Sequence, residues 1–339
     1  MAKKQGIVTI LEDAAKEPAV RAVAASTAVA GGAIAGKLVH DRAERSQRRE
    51  ARRYRLDPSE STGPEIKRVV AGQLDNAIER LSADGAAEST EAIHDARKAL
   101  KRGRTALRLS RHALGGQRYR QENRALRDGG RELSALRDSQ VLLDTLDSLA
   151  PPSRFAALRA ALAAEGPTGE HTGQVHGHEV ESALPELCQA RDRVDGWPLP
   201  DGGGPELLGQ GFQRIYRRGR RALRTACREP NVENLHELRK RAKDLWHAAQ
   251  LVRERRPKRA KTLARRAHTL SDLLGEEHDL AILTERVSSE PAHLEPAELE
   301  LLQKLIKRRR QRLRRQALSC AARVYNRKPR MVIKRLGLI

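Results

Sequence analysis

Residues 91–101 read EAIHDARKALK and residues 233–243 read ENLHELRKRAK. Laid over one another at an offset of 142, the two stretches share a glutamate, then His94 and His236, Arg97 and Arg239, Lys98 and Lys240, Lys101 and Lys243. Apolar residues recur around these at i, i+3, i+4 and i+7, the pattern of a helix with one buried face. Downstream, DSQVL at 138–142 lies over DLAIL at 279–283 at an offset of 141. A period this long predicts two copies of a bundle-sized helical unit and not a solenoid of short repeats.

Working outward, the same periodicity predicts helices over 64–82, 89–114, 117–149 and 153–165, then 207–228, 232–254, 257–288 and 296–325. Aromatic residues are 2% of the chain, so the core must be made from Leu, Ala, Val and Ile. Residues that favour sheets are too scarce for an all-β fold. The expectation is an all-α protein of two four-helix bundles related by internal duplication, with an N-terminal extension. Its boundaries fall at 1–60 for an Ala/Gly-rich, basic extension, 61–165 for the first unit, 166–209 for an acidic Gly/Pro-rich linker, and 210–339 for the second unit with a basic end. The linker carries five prolines and the run Gly202–Gly204, with one short helix expected over Ala183–Val194.

The 339 residues hold 66 Lys and Arg against 44 Asp and Glu, a formal charge of +22. Such a balance predicts a polyanionic partner. The excess is uneven: residues 301–339 hold 14 basic side chains and no acidic one. Cys188, Cys227 and Cys320 are far apart and show no metal or redox spacing, which fits a reduced, cytoplasmic chain. The uncharged stretch from Ala22 to Gly36 is 15 residues long, short of the roughly 20 that a membrane span needs, and it is read as a packed helical appendage.

At 100° per residue, Arg97, Lys98, Lys101, Arg104, Arg108 and His112 all lie within about 80° of His94 on one stripe. The second copy repeats it with His236, Arg239, Lys240, Lys243 and His247, although Trp246 stands in place of Arg104 and Gln250 in place of Arg108. Further rows follow i, i+3/i+4, i+7 spacing: Arg120, Arg124, Arg127 and Arg131; Arg217, Arg220, Arg221 and Arg224; Lys258, Lys261 and Arg265. No acid occupies the stripe positions, whereas an ordinary solvated helix alternates its charges. Arg binds phosphate oxygens as a fork and Lys as a point charge, so mixed rows suit a chain of repeating phosphates. His94 and His236 either add charged donors to that surface or stand neutral and orient a neighbour; the residues alone leave both open.

The two motif copies resemble the CHAD family, the conserved histidine α-helical domain, whose hallmark is H-x-x-R-[KR]-x-x-[KR] with a downstream stretch. Here that stretch is Arg137-Asp138-Ser-Gln-Val141 in the first unit and Leu274-Gly275-Glu-Glu-His278-Asp279 in the second. The resemblance covers roughly residues 61–335. It implies two four-helix bundles related by a pseudo-twofold axis, whose basic helices face a central cleft or pore that binds inorganic polyphosphate without catalysis. It carries the polyphosphate-facing role to His94, Arg97, Lys98, Lys101, His236, Arg239, Lys240 and Lys243, while the neighbouring rows join by periodicity alone. A further reading makes the protein an interaction scaffold at the surface of polyphosphate or storage granules, anchored by the N-terminal Ala/Gly segment. Some relatives carry a fused triphosphate hydrolase marked by E-x-E-x-K; Glu298-Leu-Glu300-Leu-Leu302 fails at the Lys position, so no phosphohydrolase activity is expected.

The rival reading is general binding of DNA or RNA through the basic surface and the C-terminal tail, with its Lys307–Arg310 run. His171, His176, His178 and Glu179 fit no standard metal site, and neither a metal nor a cofactor is expected.

Overall fold

The computed structural model describes residues 53–83, 89–133, 138–164, 169–289 and 294–339. Among these there are eleven α-helices and no strand, so the fold is all-α as the periodicity requires. The helices are α1 (Thr62–Leu81), α2 (Thr90–Leu114), α3 (Gly116–Glu132), α4 (Asp138–Asp147), α5 (Ala156–Ala164), α6 (Gly169–Arg193), α7 (Glu206–Arg228), α8 (Val232–Leu251), α9 (Pro257–Ser289), α10 (Pro296–Val324) and α11 (Pro329–Leu336).

Four of them close a ring in which α1 packs on α2, α2 on α3, α3 on α6 and α6 back on α1. A second ring closes in the same way through α7, α8, α9 and α10. The rings meet where α2 lies against α7 and α8. Backbones touch at that crossing: a Cβ on Gly211 of α7 would fall 2.1 Å from the Leu109 carbonyl oxygen of α2. Only a residue without a side chain fits there.

Two segments depart from the sequence expectation. The stretch 166–209, read as a linker, contains the 25-residue helix α6, which supplies the fourth wall of the first ring. The short helix expected over Ala183–Val194 is the C-terminal part of α6; Gly and Pro break helices by propensity, yet Pro185 lies inside α6 on its exposed side. Its missing N–H and bulky ring cost least where solvent receives the freed carbonyl. On the other side Ala183, Leu187, Ala190 and Val194 are buried at helical spacing and hold the helix down. Each buried Leu or Val contributes about 1.5–3 kcal/mol.

The expected helix over 117–149 is also divided. α3 ends at Glu132, and α4 packs instead on α9, with α5 against α4, where Leu142, Leu146, Phe155 and Leu158 join Leu280, Leu283 and Ile306 in a second hydrophobic cluster. The main core begins before residue 61, since Tyr54 and Leu56 are each 1% exposed within it. The Ala22–Gly36 stretch lies outside the described residues.

Helix ends follow local chemistry. Ser89 and Asn231 cap α2 and α8 by accepting from Ala92 N and Asn234 N, while prolines open α9, α10 and α11, where a backbone donor would go unused. Each ring buries a carboxylate that is held by arginine from the neighbouring helix. Glu122 of α3, fully buried, takes a fork from Arg193 of α6 at 3.1 Å; Glu277 of α9, 1% exposed, accepts from Arg310 at 3.0 Å and Arg314 at 2.8 Å on α10.

Candidate functional site: the cleft between α2 and α8

The apolar arcs of the two motif helices do what their spacing predicts. Ile93, Ala96, Leu100 and Leu107 of α2 are buried, as are Leu235, Leu238, Ala242 and Leu245 of α8. Burying those arcs turns parts of the two cationic stripes toward each other. Lys101, Arg104 and Arg108 from α2 and Lys240 and Lys243 from α8 line one cleft of about 380 Å³. Residues some 140 positions apart in sequence thus share a single surface.

The cleft contains an acid that the stripe reading excluded. Asp244 of α8 lines it, accepting from Arg108 at 2.5 Å and from Arg241 at 2.7 Å, and Arg241 also reaches Glu237 at 2.8 Å. Elsewhere Lys98 stands 3.5 Å from Asp95, and Arg127 forks onto Asp128 at 2.7 and 3.1 Å. The expectation of acid-free stripes is corrected accordingly: at 100° per residue Asp244 falls about 80° from His236, on the edge of the second stripe, from where it faces Arg108 across the helix pair.

The cations are nevertheless crowded. Burial, reinforced by Arg108 nearby, brings Arg104 down to about 10, and its Nε donates to Asn123 Oδ1 at 3.3 Å. Arg218 of α7 is also lowered, by burial and then by Arg241. His247, 7% exposed at the cleft wall, is held down to about 3, first by burial and then by Arg102, Lys243 and Lys101. Burial is the first cause in each case and neighbouring cations the second; an incoming polyanion would relieve that second cost.

In the second ring the downstream motif meets the histidine motif directly. The rings of His236 and His278 lie 4.4 Å apart, and the Arg239 guanidinium rests over Gly275, where a Cβ would come within 3.4 Å of Nη2. Burial, then His278, Lys240 and Arg239, lowers His236 to about 4, so it is neutral at physiological pH. His278 is lowered by burial and by Arg239. On α2, His94 is exposed. Its downstream motif opens α4, which packs on α9 and α5, and Arg137 lies outside the described residues.

The remaining predicted cations are distributed around this centre. Arg120, Arg124, Arg127 and Arg131 are exposed on α3; on α7 Arg217, Arg221 and Arg224 are exposed and Arg220 is half-buried. Lys258, Lys261 and Arg265 are exposed on α9, and Lys258 lines a different cavity. Sequence reasoning missed Arg241, Asp244 and Arg218. The spacing of Glu237, Arg241 and Asp244 along α8 marks an ion-pair chain; nothing in α7's own pattern singles out Arg218. Arg102 was also passed over: it stacks over the ring of Tyr54 at 5.5 Å, and the Tyr54 hydroxyl donates to the His247 carbonyl at 3.0 Å.

Among the described residues no group of three or more His, Cys, Asp or Glu could hold a metal, and no helix is long and apolar enough to cross a membrane. The side chains of His171, His176, His178 and Glu179 lie outside the described part.

Comparison with known proteins bears on the whole arrangement. No curated protein matches the chain. Among solved structures, the crystal structure of the CHAD domain from the plant Ricinus communis aligns with a TM-score of 0.51 at 19% identity, covering 84% of this chain and 94% of that one. That is a likeness of fold. The sequence profile of the CHAD domain matches residues 72–288, a span that takes in both motif helices and the cleft between them. The chain belongs to the CHAD domain family.

Proposed function

We propose that the chain binds inorganic polyphosphate, without catalysis, in the cleft between α2 and α8. The observation that carries this reading is the convergence of Lys101, Arg104, Arg108, Lys240 and Lys243 from two separated motif copies on one cleft. Arginine forks and lysine point charges together suit a linear ligand that presents phosphate oxygens on every side. Catalysis has little support in the same place. The one carboxylate lining the cleft is held by two arginines, so it is poorly placed to act as a base. A cytoplasmic location at polyphosphate granules accords with this reading.

The test is titration of the full chain with long-chain polyphosphate. Lys101→Gln, Arg104→Gln, Lys240→Gln and Lys243→Gln together are expected to weaken binding by about 100-fold or more, and the wild-type affinity to fall steeply with added salt as counterions are released. Unchanged affinity in the quadruple variant defeats the proposal. Phosphate release with and without magnesium should stay at the level of a protein-free control.

The nucleic-acid alternative drew on the acid-free tail. In the fold, part of the Lys307–Arg310 run is neutralised, since Arg309 pairs with Glu276 at 2.7 Å and Arg310 with Glu277. Competition at equal phosphate concentration separates the two: duplex DNA should fail to displace polyphosphate.

A further inference from the structure

A second cationic cavity, of about 400 Å³, lies where the start of α9, the end of α10 and α11 come together. Six cations line it: Lys258, Arg259 and Arg266 from α9, Arg323 from α10, and Arg327 and Arg335 beyond. No carboxylate lines it, and none of the six pairs with a carboxylate among the described residues. This sets it apart from the α2–α8 cleft, where Asp244 neutralises Arg108 and Arg241. Cations gathered without acids repel one another, and an anion bound among them removes that cost.

The cavity is also built, with a floor and an apolar wall. Tyr216, fully buried, donates its hydroxyl to Val324 O at 2.9 Å and accepts from Arg327 N at 3.3 Å, which fixes the turn that carries Arg327. Arg259 Nη1 donates to the Arg335 carbonyl at 3.2 Å and ties α11 to α9. Leu263, Val332 and Leu336 supply the apolar side. The first turns of α9 stand beside it, so the positive end of a 33-residue helix dipole adds to the field. Tyr216, which lines it, packs on Tyr325 with ring centroids 5.4 Å apart, and the cavity shares no lining residue with the cleft.

We infer that this terminal cavity is a second anion site, distinct from the cleft, that takes a compact oligophosphate of about three phosphoryl groups. The volume is within the usual range for small-ligand sites, and the cation count exceeds what a single phosphate could engage. Two sources share this chemistry, free inorganic oligophosphate and the triphosphate of a small organic ester, and the apolar wall gives the second something to contact. The inference does not depend on polyphosphate binding in the cleft.

The test is calorimetric titration of the full chain with inorganic tripolyphosphate and, in a second arm, with a nucleoside triphosphate. Three proteins are compared: wild type, a terminal variant carrying Arg266→Gln, Arg323→Gln and Arg327→Gln, and a cleft variant carrying Lys101→Gln, Lys240→Gln and Lys243→Gln. These are exposed or half-exposed positions on helices and turns, and unchanged helical circular dichroism and melting confirm folding. The terminal variant should lose, by ~30-fold or more, a tripolyphosphate binding event that the cleft variant retains, while its binding of long-chain polyphosphate persists. Tighter binding in the nucleoside arm assigns the site to an ester; equal or weaker binding assigns it to the free oligophosphate. Equal binding by wild type and terminal variant, or loss in the cleft variant alone, overturns the inference.

Discussion

The two helix rings use the same spacing of histidine, arginine and lysine on their second helices, yet they place those residues in different surroundings. In the ring of α7 to α10 the downstream motif lies within α9, packed along α8, so His236 is pressed against His278 and Arg239 is seated over Gly275. In the ring of α1, α2, α3 and α6, the downstream motif opens a helix that packs beside α9, and His94 is exposed. Spacing along a helix therefore fixes which face a side chain occupies. What that face meets depends on where the next segment of chain is sent.

The buried carboxylates give the strongest test of this difference. Glu122→Ala leaves Arg193 in the first ring with Glu186 alone, at 3.6 Å, and Glu277→Ala strands both Arg310 and Arg314 in the second. Each should cost about 3–5 kcal/mol in urea unfolding, with the larger loss at Glu277 because two guanidinium groups lose their acceptor. Equal losses would mean that the second arginine adds nothing. Next in size is the contact between rings: Gly211→Ala forces a Cβ into the Leu109 carbonyl, with an expected cost of about 1–3 kcal/mol. If the rings unfold separately, this variant should split one transition into two.

A smaller effect concerns the acid in the cleft. Asp244→Asn frees Arg108 and Arg241 from their carboxylate, and polyphosphate affinity should rise by roughly tenfold, the equivalent of about 1.4 kcal/mol. The rise should be smaller in a variant that already lacks Arg108, because only Arg241 is then left to be freed. If affinity falls instead, Asp244 positions those arginines more than it neutralises them.

How far the sequence carries can be judged from the same residues. The apolar arcs of α2 and α8 and the location of their basic stripes were legible, because they depend on one helix at a time. α6 was legible only in its C-terminal part, where a helix is expected over Ala183–Val194; its glycines and Pro185 suggest a break before that, a signal overridden once the helix packs against the first ring. The packing of α4 on α9, with α5 against α4, left no local trace. In the cleft, Lys101, Arg104, Arg108, Lys240 and Lys243 were all named from spacing. The acid that faces them was not, because Arg108 and Asp244 meet only once two helices pack side by side.

The least of the expected effects isolates the second ring's histidine. His236 sits near a pKa of 4 in the fold against 6.5 when unfolded, lowered by burial and then by His278, Lys240 and Arg239. Between those values the unfolded chain binds a proton that the folded chain refuses. The contribution of His236 to stability is thus fully present above about pH 6.5 and is lost as pH falls toward 4; screening by solvent limits the loss to about 1 kcal/mol. A polyanion against α8 reverses the balance, since nearby phosphates favour the imidazolium. Binding should take up a proton, and affinity should rise a few-fold between pH 7 and pH 5.5. His236→Gln should flatten much of that rise while leaving the pH 7 affinity near wild type, and what remains reports His278 and His247. A rise that survives intact in His236→Gln would mean that the polyanion does not approach this end of α8, and that the two rings differ in packing without differing in how they meet the ligand.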